Sequence, residues 1–210
     1  MLGIEDLWFF LTASIILWIT PGPDTMYILG RTISQGRTAG VVSVLGIGAG
    51  ILAHTFFAAV GLSAILMASA TAFTLIKVAG AAYLIYLGIQ TYRSGKELKA
   101  AHPLPHQKHW KVFRQGFLTN LLNPKIAIFF LAFLPQFVSP AEQHPAAAFT
   151  LLGGIFVVGG TLWCLSLVLF AARFTRMVRS NESLSARINR IVGVVYVGLG
   201  LNLLSSKLQS

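Results

Sequence analysis

Two short segments constrain this chain more than any others: Pro21-Gly22-Pro23-Asp24 and Asn120-Leu121-Leu122-Asn123-Pro124-Lys125. Each sets proline and polar or charged residues inside a stretch otherwise apolar enough to lie in a bilayer. Proline lacks the N–H that a helix ladder needs and clashes with the preceding turn, so both helices are expected to break there. A break in lipid strands backbone polar groups, which is tolerable only where protein or a water-filled cavity covers them. Two such breaks, one in each half of a chain, are the sequence pattern of a transporter's binding site.

Composition agrees with a membrane protein. Of 210 residues, 55% are hydrophobic and only 10% charged, with mean hydropathy +0.74; soluble domains carry about 25% charged residues. A crossing helix needs about 20 mostly apolar residues. Six segments qualify, at about 7–30, 40–62, 70–92, 115–138, 146–172 and 188–206. They leave no room for a soluble domain, and the first span is expected to be retained, since Glu5 and Asp6 stand where a cleaved leader would be basic.

The net charge of +10 invites a nucleic-acid reading, and its distribution argues against one. Loop one holds Arg31 and Arg37; loop three holds Arg93, Lys96, Lys99, Lys108, Lys111 and Arg114; loop five holds Arg173, Arg176, Arg179, Arg187 and Arg190. These thirteen face Lys207 alone on the other side, with Lys77 and Lys125 inside spans. By the positive-inside rule both termini are expected outside and the odd-numbered loops in the cytoplasm. The charge is a topological signal, and no nucleic-acid partner is expected.

The chain also resembles itself. Lys77, Gly80 and Tyr83 recur 113 positions later as Arg190, Gly193 and Tyr196, with Gly88 and Gly200 following. Spans one and four share the break, and spans two and five are both glycine-rich. The expected fold is an all-α integral membrane protein: six helices as two inverted three-helix repeats, with helices 1 and 4 broken. Repeat one covers about 1–95, a cytoplasmic loop about 93–114 and repeat two about 110–210. Gly46, Gly48 and Gly50 sit inside a hydrophobic span without a strand–turn–helix context, so they read as packing residues and not as a phosphate loop.

Candidate site residues gather at the breaks. Asp24 is expected to cap the second half of helix one through its carboxylate, and Asn123 before Pro124 reads as a cap with proline at the first helical position. Both restarted half-helices would present free N–H groups to an anion. Asp24 is the one acid within any span, and such a group marks a functional site. It fits two roles, holding a substrate ammonium or carrying a coupling proton, beside a purely structural role as a cap paired with Lys125. Lys125 fits a carboxylate partner or a snorkelling cation. His54, mid-span two, reads either as a proton relay or as a packed histidine. His102, His106 and His109 lie in a Pro-containing loop without carboxylate or cysteine partners, and the lone Cys164 excludes a disulfide framework. No metal and no cofactor are expected.

These residues resemble the LysE/RhtB family of small bacterial amino-acid exporters. The resemblance rests on Pro21 to Asp24, the glycine-rich second span, Gly80-Ala-Ala-Tyr83-Leu84-Ile85-Tyr86-Leu87-Gly88, and Leu118-Thr119-Asn120 through Asn123-Pro124-Lys125. It implies export of amino acids or relatives such as threonine, homoserine, homoserine lactone or leucine, by proton antiport. It also implies a multi-pass protein of the bacterial inner membrane, as a homodimer. On this reading a substrate carboxylate lies near Thr25 and Lys125, its amino group faces Asp24, and Asn120 and Asn123 add hydrogen bonds. Two other classes stay open: an exporter of inorganic cations, for which Asp24 is the lone available carboxylate, and an integral-membrane enzyme.

Overall fold

A computed structural model describes residues 3–64, 70–93, 105–139, 142–180 and 182–205. Among these the regular structure is all helix, apart from a single antiparallel bridge between Ile4 and Val138. The helices are α1 (Leu7–Ile19), α2 (Pro23–Gln35), α3 (Arg37–Phe57), α4 (Ala70–Arg93), α5 (His109–Leu121), α6 (Pro124–Ile128), α7 (Pro145–Ser180) and α8 (Glu182–Ser205). A π-helical turn, Ala58–Leu62, extends α3; a second, Phe129–Phe133, and a 3₁₀ turn, Leu134–Phe137, extend α6. Gly36 joins α2 directly to α3 at φ 84°, a left-handed angle that favours glycine.

Both breaks are present. Helix one stops at Ile19 and restarts at Pro23, and helix four stops at Leu121 and restarts at Pro124 with a bend of 48°. Among the described residues three helices qualify as membrane spans by length and apolarity, Arg37–Leu62, Thr74–Arg93 and Pro145–Ala171, or four if α5 and α6 form one bent span. That differs from the six expected. α1 has 13 residues, about 20 Å at roughly 1.5 Å per residue, against a hydrocarbon core of about 30 Å. In α8 the described apolar stretch is Gly193–Asn202. The basic third loop is also shorter than expected, because α5 already begins at His109. Lys96, Lys99 and His102 of that loop lie outside the described residues.

Glycines set how the helices meet. α4 and α8 run antiparallel: a Cβ on Gly88 would lie 2.7 Å from the Gly193 carbonyl oxygen, and one on Gly193 2.6 Å from that of Gly88. Further along, Gly200 faces the Ala81 carbonyl. α3 and α7 are likewise antiparallel, with Gly40 against Val168, Gly48 against Thr161 and Gly153 against Thr55. α5 runs parallel to α3, placing Gly116 on the Ser43 carbonyl and Gly50 on Asn120. With no side chain in the way, backbones approach closely enough for van der Waals contact to hold helices together where lipid removes the hydrophobic drive. An aromatic cluster of Phe10, Phe129, Phe133, Phe137 and Phe156 fills the space between α1, the α6 extension and α7.

Candidate functional site

The two breaks meet. α2 starts with Gly22 as its N-cap and Pro23 at the first helical position; α6 starts with Asn123 and Pro124 in those places. Asn123 Oδ1 accepts from the Lys125 backbone N–H at 3.1 Å, so the side chain caps α6. Asp24 does not cap α2, contrary to expectation. Proline at the first position puts Asp24 second in the helix, and its carboxylate turns away from its own first turn. Asp24 Oδ2 accepts instead from Asn120 Nδ2 at 2.8 Å and from Asn123 Nδ2 at 3.1 Å. A carboxylate only accepts, which fixes both amide orientations.

Lys125 crosses in the opposite direction. Its ammonium donates to Thr20 O at 3.0 Å and to Leu17 O at 3.2 Å, carbonyls left open where α1 ends. A cation there also faces the negative end of the α1 dipole. This is an interior position, so Lys125 does not snorkel to the interface. Gly22 leaves it passage, since a Cβ there would lie 3.3 Å from Nζ.

Asn120, fully buried, links the pair to a third element: its backbone carbonyl lies 3.3 Å from His54 Nε2, and the imidazole stacks on Phe130 at 5.7 Å. Asp24, Asn120 and His54 thus form one contiguous chain. Thr25 is buried beside Asp24.

A small cavity of about 30 Å³ lies at this junction, with Asp24, Thr25 and Lys125 on its wall. It has room for about one water molecule. The remaining wall comes from α1, α3, α6 and α7, and includes Trp18, Ile47, Ile51, Phe156, Gly160 and Trp163. Sequence reasoning missed these residues. The Gly159-Gly160 pair with Trp163 three positions on was the available signal, and it needs the helix rotation to be read. Three polar atoms of the wall residues are buried without a hydrogen-bond partner: Asp24 Oδ1, Trp18 Nε1 and Trp163 Nε1. Pro23, Asn123 and Pro124 also border a separate, open cleft of about 500 Å³ between α2 and α5, shared with Tyr27 and Gln115. Pro21 and His54 border neither space. Among the described residues no three His, Cys, Asp or Glu side chains converge as a metal site would require.

An acid and a base thus cross at the two breaks beside a small cavity. A family model described as LysE type translocator matches residues 15–207. The chain belongs to the LysE-type translocator family. It is 31% identical to an uncharacterized membrane protein of Vibrio cholerae, over 94% of this chain and 96% of that one. It is 30% identical to the uncharacterized membrane protein PA4757 of Pseudomonas aeruginosa, over 99% and 98% of the two chains. A third relative, the uncharacterized membrane protein YrhP of Bacillus subtilis, is 29% identical over 94% and 98%. No solved structure matches at comparable significance. The LysE-type assignment and the apolar helices make this a multi-pass membrane protein of a translocator family.

Proposed function

We propose that this LysE-type protein is a secondary transporter that exports amino acids or close derivatives from the cytoplasm in exchange for protons. The observation that carries the reading is the crossing of Asp24 and Lys125 at the two breaks, with Asp24 Oδ1 unpartnered beside a cavity. One carboxylate and one ammonium complement a zwitterion, whereas an inorganic cation would be repelled by Lys125 and find a single anionic ligand.

In this mechanism the substrate ammonium binds Asp24 and its carboxylate binds Lys125 near Thr25. Asn120 and Asn123 hold the Asp24 carboxylate in place. Protonation of Asp24 from outside weakens its hold on the ammonium, with His54 near the site as the proton relay. The reading includes six spans as two inverted repeats that rock about the breaks. It is supported by the mirrored contacts: Gly40 with Val168 and Thr55 with Gly153 exchange under a shift of 113 residues, and Gly48 meets Thr161, its own counterpart. The lysine and arginine distribution supports termini outside a bacterial inner membrane. A homodimer follows from the family resemblance.

Efflux from cells preloaded by dipeptide feeding tests the proposal. Faster release of particular amino acids by expressing cells than by vector controls is expected. No difference across a broad panel, with altered tolerance of metal ions, would overturn it.

A further inference from the structure

We infer that the cavity at the breaks is a binding site for one buried water molecule, held between Asp24 Oδ1, Trp18 Nε1 and Trp163 Nε1. The polar atoms of its wall set the chemistry of the ligand. Asp24 Oδ2 is already committed, accepting from both Asn120 and Asn123, whereas Oδ1 is buried and has no protein partner. The Trp18 and Trp163 side chains line the same cavity, and both indole nitrogens are buried without a partner. Two donors and one acceptor thus face a space of about 30 Å³.

This set calls for a small molecule that both accepts and donates. An indole N–H can only donate, so a cation such as sodium would meet two donors and the Lys125 charge on the same wall. An anion would meet the Asp24 carboxylate. Water accepts from the two indoles with its two lone pairs and donates one hydrogen to Oδ1. Buried waters make about three such bonds, in cavities that need about 10–15 Å³. Gly160 keeps the place open, since a Cβ there would lie 3.2 Å from Trp18 Nε1, where the acceptor belongs.

The consequence for transport rests on the reading of Asp24 as the group that holds the substrate ammonium. Oδ1 is the oxygen left for that ammonium, and the water takes it first. An ammonium that displaces the water leaves both indoles unpaired, because it cannot accept from them, and the exchange weakens binding. Trp18 and Trp163 are therefore positioning residues that act on Asp24 through the water.

The test is a crystal structure of the full-length protein without substrate, at a resolution that shows ordered water, in sodium buffer and again with choline replacing sodium. One density peak within about 2.7–3.2 Å of all three atoms is expected in both. Gly160→Ala, which fills the place, is expected to lose the peak. Asp24→Asn, which turns a third donor toward it, is expected to lose it too and serves if Gly160→Ala does not fold. No peak in the wild-type protein, a peak that needs sodium, or a peak that persists in both variants would overturn the site. The peak is read without any transport, so its absence is distinguishable from failure of the transport reading. In proteoliposome counterflow, Trp163→Phe is expected to lower the apparent KM for an exported amino acid roughly threefold to tenfold, with the maximal rate changed less. An unchanged or higher KM in folded Trp163→Phe would overturn the displacement of the water by substrate.

Discussion

Asp24 and Lys125 occupy the same position in two different half-helices, each directly after the proline that begins it, and each bonds outside its own helix. Asp24 reaches the end of α5 through Asn120, and Lys125 reaches the end of α1 through Leu17 O and Thr20 O. The two restarts are therefore tied to the opposite stops. Lys125→Met removes the donor to those carbonyls and leaves Asp24 without its nearby opposite charge. A fall in stability of about 3 kcal/mol is expected, read as thermal unfolding in detergent. Adding Asp24→Asn is expected to restore part of the loss, because the two substitutions share one network.

Asn120 is held against α3 at Gly50, where an added Cβ would lie 2.8 Å from both Cβ and Oδ1 of Asn120. Gly50→Ala is expected to push the Asn120 amide off Asp24. Transport should drop about tenfold or more while the protein still inserts, since alanine suits a helix better than glycine. Transport rate per correctly inserted molecule checks this, with Gly48→Ala as the milder comparison because its nearest neighbour lies 3.7 Å away.

A buried arginine straps the segment preceding α5 to α2. Arg31, 2% exposed, donates to Gln35 Oε1 at 2.7 Å, Pro105 O at 2.8 Å and Gln115 Oε1 at 2.8 Å, and lies over the Tyr27 ring. Lysine keeps the charge and loses the planar fork that spans these acceptors. Arg31→Lys is expected to destabilise by about 1–3 kcal/mol. Hydrogen exchange at residues 106–108 should accelerate, and exchange in α4 should not.

The α4–α8 seam gives a contrast between glycines. Gly88→Val places side-chain atoms on the Gly193 backbone and should cost about 1–3 kcal/mol. Gly154→Ala and Gly198→Ala, with nothing within 4 Å of the added Cβ, should stay within about 0.5 kcal/mol. Melting temperatures in one detergent rank the three.

The breaks were legible in the sequence because proline acts locally: it fixes where a helix stops whatever surrounds it. Asn123 as the α6 cap was legible for the same reason. Asp24 misled, because Pro23 moved the helix start back by two residues and handed the cap to Gly22. Gly46, Gly48 and Gly50 of α3 read correctly as packing residues. Trp18, Ile51, Phe156 and Trp163 were not legible, since what they share is helix rotation, and apolar residues surround each of those helices on every face. The described helices give three or four spans by length and apolarity, because a half-helix that ends at a break, such as α1, is too short to qualify alone.

Asp24→Asn in proteoliposomes bearing a pH gradient is the most direct test of proton-coupled export through this site. Asparagine preserves shape and can still accept from the Asn120 and Asn123 amides, while it carries neither charge nor proton. The expected result is loss of gradient-driven amino-acid accumulation in folded, correctly inserted protein, with wild type accumulating substrate under the same gradient. Uphill accumulation by Asp24→Asn at the wild-type rate would refute Asp24 as the coupling group.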